Sequence, residues 1–125
     1  MVGTDMVYVP RIERILESRF GMLFLRNVYT EAERRSFAAC HHAHKAASVA
    51  SVFALKEATI KASMGKLTIS DLHCIEIVTQ QGTNPRIEVN AVKLEGRFLG
   101  SVSKAGDYVI AVAAWSGGPG AVPGA

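Results

Sequence analysis

Polar and apolar residues alternate from Val2 to Val9, which predicts a strand with Gly3, Asp5, Val7 and Val9 on one face and Val2, Thr4, Met6 and Tyr8 on the other. Asp5 therefore stands among apolar neighbours, a costly place for an unpaired carboxylate. Pro10 suits the first turn of a helix whose apolar stripe is Ile12, Ile15, Leu16 and Leu23. Thr30 followed by Glu33 has capping-box spacing and predicts the start of a second helix. The longest helical signal runs from Lys45 to Met64 without Gly or Pro. Its inward stripe is Ala46, Ala50, Phe53, Glu57, Ile60 and Met64, with Lys61 beside it. After Gly65 the period changes to two. Leu72–Thr79 and Arg86–Val92 read as strands joined by a turn from Gln80 to Pro85. Phe98–Ser103 and Tyr108–Trp115 read as strands around a turn at Lys104–Asp107. Val109 to Ala114 is apolar throughout, so the last strand is expected inside the sheet. The pattern is that of an α+β domain with a small, mostly antiparallel sheet packed against a long helix.

Composition narrows the classes. The chain has 125 residues, 49% hydrophobic and 20% charged, which suits one small folded domain. That domain is expected over residues 1–115, followed by a disordered Gly/Pro/Ala tail, SGGPGAVPGA, at 116–125. No apolar run is long enough to span a bilayer and Met1–Asp5 lacks signal-peptide features, so a cytoplasmic protein is expected. The net charge of +3 suits an acidic partner, but the basic residues are interleaved with acids, which argues against nucleic acid. Cys40 and Cys74 make neither a disulfide framework nor a zinc pattern.

The segment FALKEATIKAS, Phe53 to Ser63, carries the most chemistry. Glu57 and Lys61 have the i,i+4 order of a helical ion pair, and on an arbitrary helix such a pair is solvated. Here Glu57 continues an apolar stripe, so it points inward as Asp5 does. Two such carboxylates suit one Mg²⁺, which takes one or two carboxylates plus substrate phosphates, and Lys61 stands one turn away to reach those phosphates. The cluster CHHAHK, Cys40 to Lys45, has His41 and His44 at chelating spacing but no matching ligands elsewhere, and reads as an exposed helix start. His73 and Cys74 read as packing residues of a strand. Arg11 and Arg14 lie one turn apart, with Arg19 and Arg26 beyond. They form either a solvated face balanced by Glu13 and Glu17 or a docking surface for an acidic helix. GxSxG, P-loop and GxGxxG motifs are absent from the chain.

Taken together, VGTDMVYVPRI, FLRNVYTEAE, FALKEATIKA, ISDLHCIEI, the turn and strand at Gly82–Val89 and the closing SVSKAGDYVIAVAA resemble the holo-acyl-carrier-protein synthase family of 4′-phosphopantetheinyl transferases across residues 1–115. The resemblance implies Mg²⁺-dependent transfer of phosphopantetheine from coenzyme A to a serine of an acyl carrier protein, by a homotrimer with its active site between subunits. By position, Asp5 and Glu57 match the metal carboxylates, with Glu57 and Lys61 the catalytic pair. Lys61, Pro85, Ser103 and Lys104 match coenzyme A contacts, and Arg11 and Arg14 match the carrier-docking helix. The chain departs from the family pattern at Val52, where an arginine is usual, at Met64 and Lys66 in the glycine loop, at Asn84 for a lysine, and at Lys104 for a histidine. All these departures fall on the coenzyme A side. They leave two alternatives open beside the transferase: a diverged enzyme acting on a carrier-bound substrate, and a non-catalytic carrier-binding subunit.

Overall fold

The computed structural model describes residues 1–80, 82–90 and 94–117. A first strand, β1 (Val2–Tyr8), leads into helices α1 (Val9–Glu17), α2 (Gly21–Val28), α3 (Glu31–Ala39) and the long α4 (His42–Ala62). A 3₁₀ segment (Ile69–Cys74) and strands β2 (Ile75–Val78), β3 (Arg86–Val89), β4 (Phe98–Ala105) and β5 (Tyr108–Trp115) follow. The strands form one antiparallel sheet in the order β1-β5-β4-β3-β2, with α4 packed across β1 and β5. The expected α+β class and the interior position of the last strand both hold.

The alternation of β1 holds from Val2 to Tyr8, and Val9, expected on the buried face of the strand, opens α1 instead. Gly3 and Val7 are buried and Asp5 is half-buried toward the helix, while Val2, Thr4, Met6 and Tyr8 face out. Gly3 is required there: a Cβ on it would lie 2.1 Å from the Ala58 carbonyl and 2.6 Å from the Ala62 nitrogen. The approach is made at Ala58 and Ala62, both fully buried. Strand and helix therefore meet at backbone distance.

Four further expectations need correction. The apolar stripe from Ile12 to Leu23 is broken into two helices, because the Ser18 side chain bonds the Ile15 carbonyl and the Phe20 amide; Leu23 ends up exposed. The strand expected from Leu72 starts at Ile75. A second capping box, Thr68 with Asp71, winds the preceding residues into the 3₁₀ segment, so His73 is exposed and Cys74 half-buried rather than packed in a strand. Helix α4 begins three residues earlier and ends two earlier than its pattern suggests, and Met64 lies beyond it, exposed, with φ 56°. The helix also buries a broader face than the expected stripe. Val49, Val52, Leu55 and Lys56 are buried, while Phe53, Glu57 and Ile60 lie along its edge.

The capping box of α3 is as expected. Thr30 accepts from the Glu33 amide and Glu33 accepts from the Thr30 amide at 2.8 Å, an arrangement that contributes about 0.5–2 kcal/mol. β4 runs to Ala105, with Gly106 at φ 60° in a tight turn to β5. Of the expected tail, Ser116 is bonded to Arg97, and residues 118–125 lie outside the described residues. Among the described residues, no helix is long and apolar enough to cross a membrane.

Candidate active site

Strand β1 and the edge of α4 bring Asp5, Glu57 and Lys61 together. The Lys61 amino group lies 3.0 Å from Asp5 Oδ1 and donates to the Thr4 carbonyl at 2.9 Å. Asp5 is 17% exposed at the side chain and Lys61 52%, so the carboxylate is inside and the cation reaches out. Glu57 shares a cavity of about 360 Å³ with Asp5, bounded by Arg11, Phe53, Tyr8 and Tyr108. Burial pushes the Glu57 carboxyl above the ordinary carboxylate range, the Asp5 charge adds to the rise, and Lys61 partly opposes it. The Tyr8 and Tyr108 rings pack against each other at 5.1 Å between centroids, at the end of the β1–β5 ladder.

The donor set suits a hard cation. Two carboxylates facing one cavity repel each other, and a divalent ion held by both would remove that repulsion. Among the described residues no group of three or more His, Cys, Asp and Glu could hold a metal. A pair of carboxylates completed by water and substrate oxygens is the pattern of Mg²⁺ rather than zinc or calcium. His41 and His44, with rings 5.8 Å apart, are exposed at the start of α4, where His41 Nδ1 caps the helix through the Ala43 amide.

The other expected site residues gather elsewhere. Pro85, Ser103 and Lys104 line a cleft of about 250 Å³ whose apolar wall includes Val52 and Leu55. Lys104 and Val52 also border a neighbouring cavity of about 300 Å³ with Glu33, Ser51 and Thr79. Asn84 lies in a cavity of about 470 Å³ between β3 and β4, which contains neither Asp5 nor Glu57. One chain thus carries two separate groups of site residues. Of the two arginines expected to dock a carrier, Arg11 reaches the Asp5–Glu57 cavity and Arg14 stays on the exposed face of α1.

Sequence reasoning passed over Lys56. It is fully buried, 2.6 Å from Glu33 Oε1, and burial lowers its pKa against the opposing pull of Glu33. A lysine beside Glu57 reads as a solvated cation. The available signal was its place on the stripe Val49, Val52, Lys56, Thr59, all buried. Phe20, Met22 and Leu23, exposed where α2 begins with Arg19 over the Phe20 ring, were likewise not singled out as a group.

The fold and the carboxylate edge define a class, and comparison with known proteins agrees. The family model described as the 4′-phosphopantetheinyl transferase superfamily matches residues 1–113. A holo-[acyl-carrier-protein] synthase of Gloeobacter violaceus is 39% identical over 99 residues, covering 78% of this chain and 74% of that one. Its counterpart in Wolbachia pipientis wMel is 38% identical over 113 residues, covering 88% of each. The structure of Helicobacter pylori holo-[acyl-carrier-protein] synthase in complex with coenzyme A superposes with a TM-score of 0.74 at 28% identity, covering 93% of this chain and 100% of that one. The chain belongs to the 4′-phosphopantetheinyl transferase superfamily. Within it, the chain falls in the holo-acyl-carrier-protein synthase family and is an enzyme of the phosphopantetheinyl transferase type.

Proposed function

We propose that the protein transfers 4′-phosphopantetheine from coenzyme A to a serine hydroxyl of an acyl carrier protein, with Mg²⁺ held by Asp5 and Glu57. The observation that carries this reading is the convergence of Asp5, Glu57 and Lys61 on one edge of the β1–α4 packing. In the reaction the serine oxygen bonds to the phosphorus that bears the pantetheine arm. The bond from that phosphorus to the bridging oxygen breaks, and adenosine 3′,5′-bisphosphate leaves. A cation held by Asp5 and Glu57 would supply charge neutralisation for the pyrophosphate. Lys61, half-exposed above Asp5, takes up the charge that develops on the phosphate oxygens. The serine proton leaves to a carboxylate or a water molecule at the Asp5–Glu57 edge. Arg11 and Arg14 offer cations to an acidic carrier helix, and exposed Phe20, Met22 and Leu23 offer it apolar contact.

The working form is a homotrimer. Val2, Met6, Leu99, Tyr108, Ile110 and Val112 stand exposed on the outward face of β1, β5 and β4, an apolar surface that suits self-association. Assembly of this kind also accounts for the division of the site: the carboxylate edge of one subunit would meet the cleft of Pro85, Ser103 and Lys104 on its neighbour. The deciding experiment incubates the protein with apo carrier protein, coenzyme A and Mg²⁺ and weighs the carrier. A 4′-phosphopantetheine mass addition that disappears in Glu57→Ala supports the reading, and no addition on any plausible carrier overturns it.

A second reading has its own observation. The cleft of Pro85, Ser103 and Lys104 offers a single cation against an apolar wall that includes Val52 and Leu55. That is a weak seat for a polyphosphate, and it favours a diverged enzyme acting on a group already attached to the carrier. Tight coenzyme A binding by calorimetry excludes this alternative.

A further inference from the structure

A buried cation that the proposed reaction does not use stands one residue before Glu57. The Lys56 amino group lies 2.6 Å from Glu33 Oε1, donates to the Val28 carbonyl at 2.9 Å and to the Leu72 carbonyl at 3.0 Å. An ammonium has three protons, and here each has its own acceptor, from the end of α2, from α3 and from the 3₁₀ segment. The ammonium also lies 5.2 Å from the centroid of the Tyr29 ring. Glu33 passes the constraint on: Oε1 holds the Thr30 amide at 2.8 Å, and Oε2 holds the Ile77 amide of β2 at 2.7 Å.

Such a pair seldom adds net stability, because desolvating two charges offsets most of their attraction. What three converging acceptors do supply is a single permitted setting of the helix that carries the ammonium. Helix α4 needs one. At Gly3 it meets β1 through the Ala58 carbonyl, the Ala62 nitrogen and the Lys61 Cβ, a contact made of backbone and Cβ atoms. Glu57 and Lys61 stand at the edge of that contact, so a small turn of α4 carries both away from Asp5.

We propose that the Lys56–Glu33 pair is the positioning device of the active site, fixing the rotation of α4 so that Glu57 and Lys61 meet Asp5. The inference rests on the reading of those three residues as the reacting edge. Two variants remove the pair: Lys56→Gln, which keeps a donor, and Lys56→Met/Glu33→Gln, which leaves no uncompensated buried charge. Tyr29→Phe is the control, since it deletes a buried hydrogen bond to the Val49 carbonyl in the same shell and leaves the pair intact.

Each is compared with the parent at a temperature where circular dichroism shows it folded. Carrier mass addition gives kcat and KM, and Mn²⁺ alone, titrated by its paramagnetic signal, gives the metal affinity. The pair variants are expected to lose at least about tenfold in kcat, with KM for coenzyme A within about threefold, and about tenfold in Mn²⁺ affinity. Tyr29→Phe is expected to move neither. A folded pair variant with parental kcat and Mn²⁺ affinity overturns the proposal, as does the same loss in Tyr29→Phe. Failure of both pair variants to fold also overturns it, in favour of a purely structural role. A parent that binds Mn²⁺ but adds no mass overturns the transferase reading alone, and the Mn²⁺ titration then decides the positioning role. A parent that does neither overturns both.

Discussion

Lys61 bridges α4 to β1 by bonding both the Asp5 carboxylate, at 3.0 Å, and the Thr4 carbonyl, at 2.9 Å. With its side chain half in solvent, the lysine gains little stability from the pair, about 0–1 kcal/mol by the usual measure of exposed ion pairs. Its geometry instead keeps a cation beside the two carboxylates. A substrate phosphate entering that edge finds the ammonium already placed, at no cost in ordering a long side chain.

Lys61→Met should therefore separate function from folding. Its melting temperature is expected to stay within about 3 °C of the parent, and its phosphopantetheine transfer to fall at least about a hundredfold. Thermal unfolding followed by circular dichroism and the carrier mass assay check the two halves. A large drop in melting temperature would show that the bridge is chiefly structural.

Glu57 makes a pH prediction whose sign follows from its environment. Burial and the Asp5 charge raise its folded pKa above the unfolded value, so the folded state holds the proton more tightly. Its contribution to stability is complete below about pH 4, where an unfolded glutamate is protonated, and is lost as pH rises through the raised folded value. Without metal, Glu57→Gln should melt above the parent near neutral pH and together with it at about pH 4. Added Mg²⁺ should then raise the parent's melting temperature and not the variant's. Melting curves in chelator and in Mg²⁺ across that range measure both effects; a variant less stable than the parent at neutral pH without metal contradicts the account.

The fold and the carboxylate edge were legible because strict local patterns specify them. Period two through Val2–Tyr8 put Asp5 on the helix side, and the stripe through Phe53 and Ile60 pointed to Glu57, which the structure sets at the helix edge rather than inside. What escaped depended on contacts distant in sequence. The 28 positions between Val28 and Lys56, and the 44 between Glu33 and Ile77, are closed by tertiary packing, and nothing near Lys56 announces its partners. The two capping boxes show the limit from the other side. Thr30–Glu33 was readable from its Thr-x-x-Glu spacing, whereas Thr68–Asp71 opens a single short 3₁₀ segment and lost out to the alternating pattern around it. The division of the site residues between two cavities has no local signature at all.

Gly3 tests the close contact on which the edge depends. A Cβ there would sit 2.1 Å from the Ala58 carbonyl oxygen and 2.6 Å from the Ala62 nitrogen, both backbone atoms of a helix that cannot give way locally. Gly3→Ala is expected to destabilise by about 2–3 kcal/mol or more, lowering the melting temperature by roughly 8 °C or more. Transfer at a temperature where the variant is folded should fall as well, because moving α4 off β1 moves Glu57 and Lys61 off Asp5. Calorimetry and the mass assay report the two effects, and unchanged stability would refute the contact.

The outward sheet face offers a test of assembly that spares the fold. Met6 and Ile110 are cross-strand neighbours, 62% and 37% exposed, at the centre of that face. Met6→Lys adds a charge where a single chain meets water, so secondary structure should be kept. Between subunits the same charge would be buried without a partner, which is expensive. Sedimentation equilibrium should show the parent as a trimer and Met6→Lys as a monomer at micromolar concentration. Carrier modification by the monomer should fall at least about tenfold, because the Asp5–Glu57 edge then lacks the neighbouring cleft. Restored assembly and activity at high protein concentration would tie the loss to association. A monomeric parent with full activity would mean that one chain completes the site alone, and the exposed apolar face would then have to meet another partner.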